Sequence, residues 1–216
     1  MRLVLWALMV LLAACTGGAA GQDDPLDVGD LADPEDVVAA VIEAVRHDDP
    51  GRAAQLSDAA QVPLLAIAEG LGGRGLSQLT TADLDLVATN FWSGFAAQLR
   101  SSLGASDLVI GDMTMVAIGD SHFAVVDLER PADASVRRLV LRETADGWVV
   151  DLIASFPFPL LGRIPEAADI ARSVEDSAFR QVLLEMEDSI LLVLGDPDLA
   201  PQVHQAGLAA LESIGR

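Results

Sequence analysis

The sequence predicts an α+β fold: N-terminal helices packed on a four-stranded antiparallel sheet, with extra helices at the C-terminal end. Three observations carry this. Apolar residues recur at helical spacing from residue 34 to about 104, the period shortens to that of strands until about 154, and helical spacing returns after Pro165. With 51% of 216 residues hydrophobic, there is material for one good core.

Each element has a local cause. Asp33-Pro34-Glu35-Asp36 supplies a capping carboxylate, a proline at the first helical position and two acids at the positive end of the helix dipole. Val37, Val38, Val41, Ile42 and Val45 then share a face until Asp49-Pro50-Gly51. Asp49 and Pro50 repeat the device and predict a short second helix from Arg52 to Ala60. Val62 to Ala68 is apolar and fits helix or strand, and Gly70-Leu71-Gly72-Gly73-Arg74-Gly75 reads as a loop. A third helix is expected from Thr80 or Thr81, through Leu84, Val87, Ala88, Phe91, Trp92, Phe95 and Leu99, to near Gly104.

Strands are expected at 107–118, 122–130, 135–144 and 147–154, separated by Gly119-Asp120-Ser121, Pro131-Ala132-Asp133 and Asp146-Gly147. Such short connections make neighbours antiparallel. In the third strand Leu139 and Leu141 alternate with Arg138 and Arg142, which predicts one wet face and one covered by helices. Phe156-Pro157-Phe158-Pro159 should end the sheet, since alternate prolines cannot donate to a ladder. A long helix is expected from Pro165-Glu166 through Ile170, Val174, Ala178, Val182, Met186 and Ile190 to Gly195-Asp196-Pro197, and a last one from about Leu199 to Ile214.

Charge narrows the partners. Thirteen basic residues face 33 acidic ones, for a net charge of −20. All the basic ones are Arg, and Lys and Tyr are absent. Such a polyanion is repelled by nucleic acid phosphates and anionic head groups, so basic-patch recognition of either is not expected. Cys15 is the only Cys, which excludes an internal disulfide and a Cys-based metal knuckle.

Cys15 has a different role to play. Met1-Arg2, the uncharged apolar run from Leu3 to Leu12 and the small residues Ala13 and Ala14 have the three-part layout of an export signal, too short for a spanning helix. Leu12-Ala13-Ala14-Cys15 resembles the lipobox of bacterial lipoproteins. That resemblance implies recognition of Leu12, Ala13 and Ala14 by the signal peptidase, removal of residues 1–14 and a diacylglycerol on Cys15. Two acyl chains would anchor the protein stably outside the cytoplasm. Residues 15–33, rich in Gly and Asp, read as the lipidated Cys and an acidic tether with a span of about 20–25 Å. The α+β domain is placed at residues 34–155 and a C-terminal helical extension at 156–216.

A helix, a short helix opened by Asp49-Pro50-Gly51, a larger helix and a meander ending in Gly147-Trp148-Val149-Val150-Asp151-Leu152 resemble the nuclear-transport-factor-like superfamily over residues 34–155. The first-helix ending Ala44-Val45-Arg46-His47-Asp48-Asp49 adds to the likeness. The resemblance implies helices wrapped around a curved sheet that encloses a cone-shaped cavity. The helices after Pro165 depart from it and are candidates to plug that cavity.

Little in the sequence carries chemistry. Some members of that superfamily move protons with pocket Asp, His and Tyr, and this chain has no Tyr. His122 with Asp112, Asp127 or Asp151 is the best acid/base constellation, although a solvated turn histidine is the simpler reading. His47 suits a helix C-terminus, and His204 stands alone. Gly119-Asp120-Ser121-His122 reads as a hairpin turn ahead of an esterase block, and Asp83-Leu84-Asp85 as a helix start ahead of a metal-binding D-x-D. Arg138 and Arg142 could bridge to Asp127 or Glu129, or form an anion patch. Phe91, Trp92, Phe95, Phe123 and Trp148 are candidate pocket lining, and Phe156 completes the aromatic set. No cofactor or metal site is expected.

The expectation is a non-enzymatic, lipid-anchored envelope protein that binds an apolar small molecule or a partner protein. An enzyme in the same cavity is the alternative. A third reading is a structural protein whose long helix docks on a partner through Val182, Leu183, Met186, Ile190 and Leu191.

Overall fold

The computed structural model describes residues 32–70, 79–103, 109–130, 133–173 and 177–215. The expectations for Cys15, the leader and most of the tether, for the run from 71 to 75, and for the side chains of Leu99, Glu129, Val174 and Ala178 lie outside the described residues. The fold is α+β, with four antiparallel strands in the order β1-β2-β3-β4.

Helix α1 (Pro34–His47) begins as its sequence dictates, with the Asp33 carboxylate accepting the Glu35 N–H at 2.9 Å. It ends at Asp48, in a left-handed conformation. Asp49 likewise caps α2 (Pro50–Gln55). This helix is shorter than expected because Leu56 and Asp58 are drawn into the sheet: Leu56 O accepts from Val150 N at 2.7 Å and Val150 O accepts from Asp58 N at 2.9 Å. A 3-10 turn (Ala59–Gln61) leads into α3 (Val62–Ala68), which makes the undecided apolar stretch helical. Helix α4 (Thr81–Leu103) is the largest.

The strands are β1 (Val109–Ile118), β2 (Ser121–Arg130), β3 (Asp133–Thr144) and β4 (Gly147–Val150). The fourth is four residues shorter at its end than expected. Asp151 N still donates to Val140 O, but its carboxylate accepts the Ala154 N–H at 2.8 Å and so opens α5 (Leu152–Ser155). Helix α6 (Pro157–Leu161) follows. Over the expected long helix the described residues form α7 (Ile164–Ser173), α8 (Ser177–Glu185) and α9 (Glu187–Leu194). Between α8 and α9 the expected helix is interrupted: Met186 N bonds Leu183 O, three residues back, which tightens the turn. Helix α10 (Pro201–Ile214) crosses α9 closely at Gly207, where a Cβ would stand 2.8 Å from a Leu194 methyl carbon.

Register fixes the two faces of the sheet. Ala124 lies opposite Leu141 and Val126 opposite Leu139, all buried in the main core with the N-terminal helices. Phe123 opposite Arg142, Val125 opposite Val140 and Asp127 opposite Arg138 share the other face. That face, expected to be wet, is covered in part: Phe123 and Val140 are buried while Arg138 and Asp127 stay partly exposed. The C-terminal helices reach over it: Ser121 Oγ donates to Asp188 at 2.7 Å, Arg138 to Asp196 at 2.8 Å, and Arg142 approaches the Glu185 carbonyl. Leu183, Met186 and Ile190 are buried within the molecule, Val182 is half-buried, and Leu191 is the most exposed of the five proposed docking residues.

Candidate functional site

A cavity of about 180 Å³ lies between the end of α1, the middle of α4 and the part of β3 beyond the reach of β4. Val41, Ile42 and Val45 form one wall because helical spacing stacks them on the inner face of α1. Trp92 and Phe95 project from α4, Leu128 and Leu139 from the sheet, and Phe156 from the junction of α5 and α6. Arg138 and Ser155 are the polar residues on its wall.

The aromatic residues form a single interlocked group. Phe156 meets Phe91, Trp92 and Phe95 edge-to-face at centroid distances of 5.0, 5.8 and 5.1 Å. Trp92 also contacts Phe91 and Phe95. Such edge contacts add about 0.5–1.5 kcal/mol each beyond burial. Of the expected pocket residues, Trp92 and Phe95 line the cavity, and Phe91 backs them through Phe156. Phe123 is on the opposite sheet face, and Trp148 is buried on β4 outside the lining. Sequence reasoning counted Phe156 in the aromatic set and used it as a strand stop, without placing it at the centre of the group. The Phe-Pro-Phe-Pro signal was available, since proline two residues apart also suits the first turn of a short helix.

The polar atoms near the cavity are committed. Trp92 Nε1 donates to Ser57 Oγ at 2.8 Å, and Ser57 donates to Ala53 O. Ser155 Oγ accepts from Val140 N and donates to Val140 O. Arg138 Nε donates to Asp127 at 3.2 Å and Nη1 to Asp196.

A buried polar group lies beside the outer edge of β4. Arg142 Nη2 donates to the Asp58 carboxylate, which also caps the 3-10 turn by accepting the Ala60 N–H. Asp151, fully buried, accepts from Ser189 Oγ of α9 at 2.5 Å. Burial raises the Asp151 pKa above the usual carboxylate range, against the opposing pull of Ser189, the Ala154 N–H and Arg142. Gln61 Oε1 accepts from Ile153 N, while Gln61 Nε2 and Arg142 Nε are buried without a partner among the described residues. This group joins the 57–61 segment, β3, α5 and α9.

Of the expected acid/base constellation, His122, Asp127 and Asp151 each have other partners. His122 contacts Glu143 at 2.9 Å, Asp127 holds Arg138, and Asp151 is sealed in the interior. His47 stands beside Glu43 on the last turn of α1, and His204 is exposed on α10. Ser121 donates to Asp188 from the first position of β2, just after a two-residue turn in which Gly119 has φ +58°. A Cβ there would come 3.1 Å from Asp188, so glycine serves both the conformation and the approach. Asp83 accepts from the Thr80 N–H and hydroxyl, the helix-start reading, and these bonds lower its pKa. The bridge from Arg138 to Asp127 forms as expected. Arg142 turns inward to Asp58, so both guanidiniums are matched by carboxylates and no anion patch stands open.

Among the described residues no group of three or more His, Cys, Asp or Glu could hold a metal ion, and no helix is long and apolar enough to cross a membrane. Comparison of the chain with protein-family models, curated proteins and solved structures found no match.

Proposed function

We propose that this is an exported cell-envelope protein, anchored to the outer side of the cytoplasmic membrane or a further membrane by a lipid on Cys15, whose domain is a non-catalytic binding module for an apolar small molecule. The observation that carries the binding reading is the cavity walled by Val41, Ile42, Val45, Trp92, Phe95 and Phe156. Its wall supplies hydrophobic contact and shape, and the guanidinium of its one titratable residue, Arg138, is held by Asp127 and Asp196. A general acid or base would need a titratable group aimed at the bound molecule, which favours binding over turnover. The burial of Leu183, Met186 and Ile190 favours a ligand over a docked partner on the C-terminal helices.

Support for the address comes from the Leu12-Ala13-Ala14-Cys15 motif, and the resemblance to the nuclear-transport-factor-like superfamily agrees with a cavity between helices and sheet. Two measurements test the proposal. In a bacterial host fed labelled fatty acid, the full chain should take up the label and Cys15→Ser should not; a natural chain that stays unlabelled would end the lipid-anchor reading. Native mass spectra of residues 16–216, recorded beside denatured ones, should show an added mass that leaves on denaturation. A bare chain that also fails to bind any offered apolar compound would turn the search to protein partners.

A further inference from the structure

The two edges of the sheet are finished differently. At β4 the strip from Leu56 to Asp58 bonds Val150 and closes the edge. Among the described residues nothing pairs with the outer side of β1. The register says which groups face that side. Val140 N and O are bound on the β4 side by Ser155 and Asp151, so Val125 opposite turns its own to Thr114 of β1. Alternation then sends the N–H and C=O of Met113, Met115 and Ala117 away from β2. Natural sheets blunt such an edge with charges, prolines or bulges. The register shift of β1 lies between Ile110 and Met113, and beyond it the run Met113-Thr114-Met115-Val116-Ala117-Ile118 has neither a charge nor a proline. Met115, in the middle of the outward set, is 56% exposed.

That run is complementary to itself. Laid antiparallel about a two-fold axis at Met115, each Met115 meets its twin and Met113 meets Ala117, so every outward group finds a partner. Facing side chains lie on one side of a sheet, so the two exposed Met115 side chains cover each other. Asp112 falls near Ile118 of the other copy, about 20 Å along the strands from its twin, which is more than about two screening lengths at physiological salt. A foreign strand gains the same main-chain bonds without this match. We propose that two copies of this chain join edge to edge along β1, in this register, into one continuous sheet. Neither the cavity nor the lipid takes part in the joint.

The test uses the full chain carrying Cys15→Ser, so that an introduced thiol is the only one. Across the axis the Cα atoms of the two residues at position 115 stand about 5.5 Å apart, within disulfide reach. Residues at position 117 are exposed as well but stand about 14 Å apart. Under mild oxidation Met115→Cys should therefore form a linked dimer at least about tenfold faster than Ala117→Cys, and a mixture of Met113→Cys with Ala117→Cys should link again. Light scattering should give twice the mass of one chain, and Met115→Arg, which sets two like charges against each other at the axis, should give a single chain. If Met115→Arg does not fold, the cross-linking pattern still decides. Equal linking through Met115→Cys and Ala117→Cys would mean unspecific association, including association through the apolar leader, and would overturn the proposal. So would a dimer that persists in folded Met115→Arg, or a single chain that never links. Linking of Met115→Cys to another protein in the host, and never to itself, would overturn self-pairing and give the edge to a foreign strand.

Discussion

Asp151 shows how one side chain can decide several structural questions. Its carboxylate starts α5, ends β4 and receives Ser189 from α9, all from a fully buried position. Because burial raises its folded pKa, it contributes stability that is complete below its unfolded pKa and is lost as pH rises through the folded value. Asp151→Asn removes that dependence. In urea unfolding across the acidic to neutral range, the stability of the natural protein relative to the variant should fall with rising pH and then level off. A constant difference would mean that Asp151 does not titrate differently in the two states. In the sequence Asp151 reads as a strand residue and a possible acid, because the run Trp148 to Ile153 is apolar on both sides of it. The alternative sign was the Asp-Leu-Ile-Ala-Ser order, a capping residue ahead of a helical turn. Arg142 was equally opaque: alternation placed it correctly on the second face, but its partner Asp58 lies 84 residues away and nothing local announces it.

At the scale of elements, helix starts were legible and helix ends less so. Asp33, Asp49 and Thr80 mark their helices by chemistry confined to three or four residues, and the structure uses each of them. Asp33→Ala should therefore lower stability by about 1 kcal/mol in denaturant unfolding. No loss would show that tertiary packing alone holds the first turn of α1. Ends set by distant groups were misjudged. Helix α2 stops because Leu56 and Asp58 have Val150 to bond to, and the strand at Val150 stops because Asp151 is needed elsewhere. The cavity falls between these cases. The aromatic stripe Phe91, Trp92 and Phe95 could be read from helical spacing, whereas Phe156 reaches it only through the turn of α5 into α6. Phe123 lies on the sheet face opposite this cavity, and period-two alternation cannot say which face carries a cavity when both hold buried residues.

The whole molecule carries 33 acidic against 13 basic residues, and self-repulsion among them opposes the compact state. Raising NaCl from about 0.05 to 0.5 M shortens the screening length from about 14 to 4 Å, so the thermal midpoint should rise. A falling midpoint would mean that attractive pairs such as Arg138 with Asp196 outweigh the repulsion.

The strip from Leu56 to Gln61, bonded to Val150 and Ile153, has a temporal meaning as well. Some ninety residues separate Gln61 from Ile153, and closing so long a loop is a late and entropically costly event. A ribosome releasing this chain exposes α1, α2 and α3 long before their β partner exists. The first third of the molecule must therefore wait, incompletely folded, until residues near 150 emerge, and a nascent chain stalled before that point should stay sensitive to protease throughout.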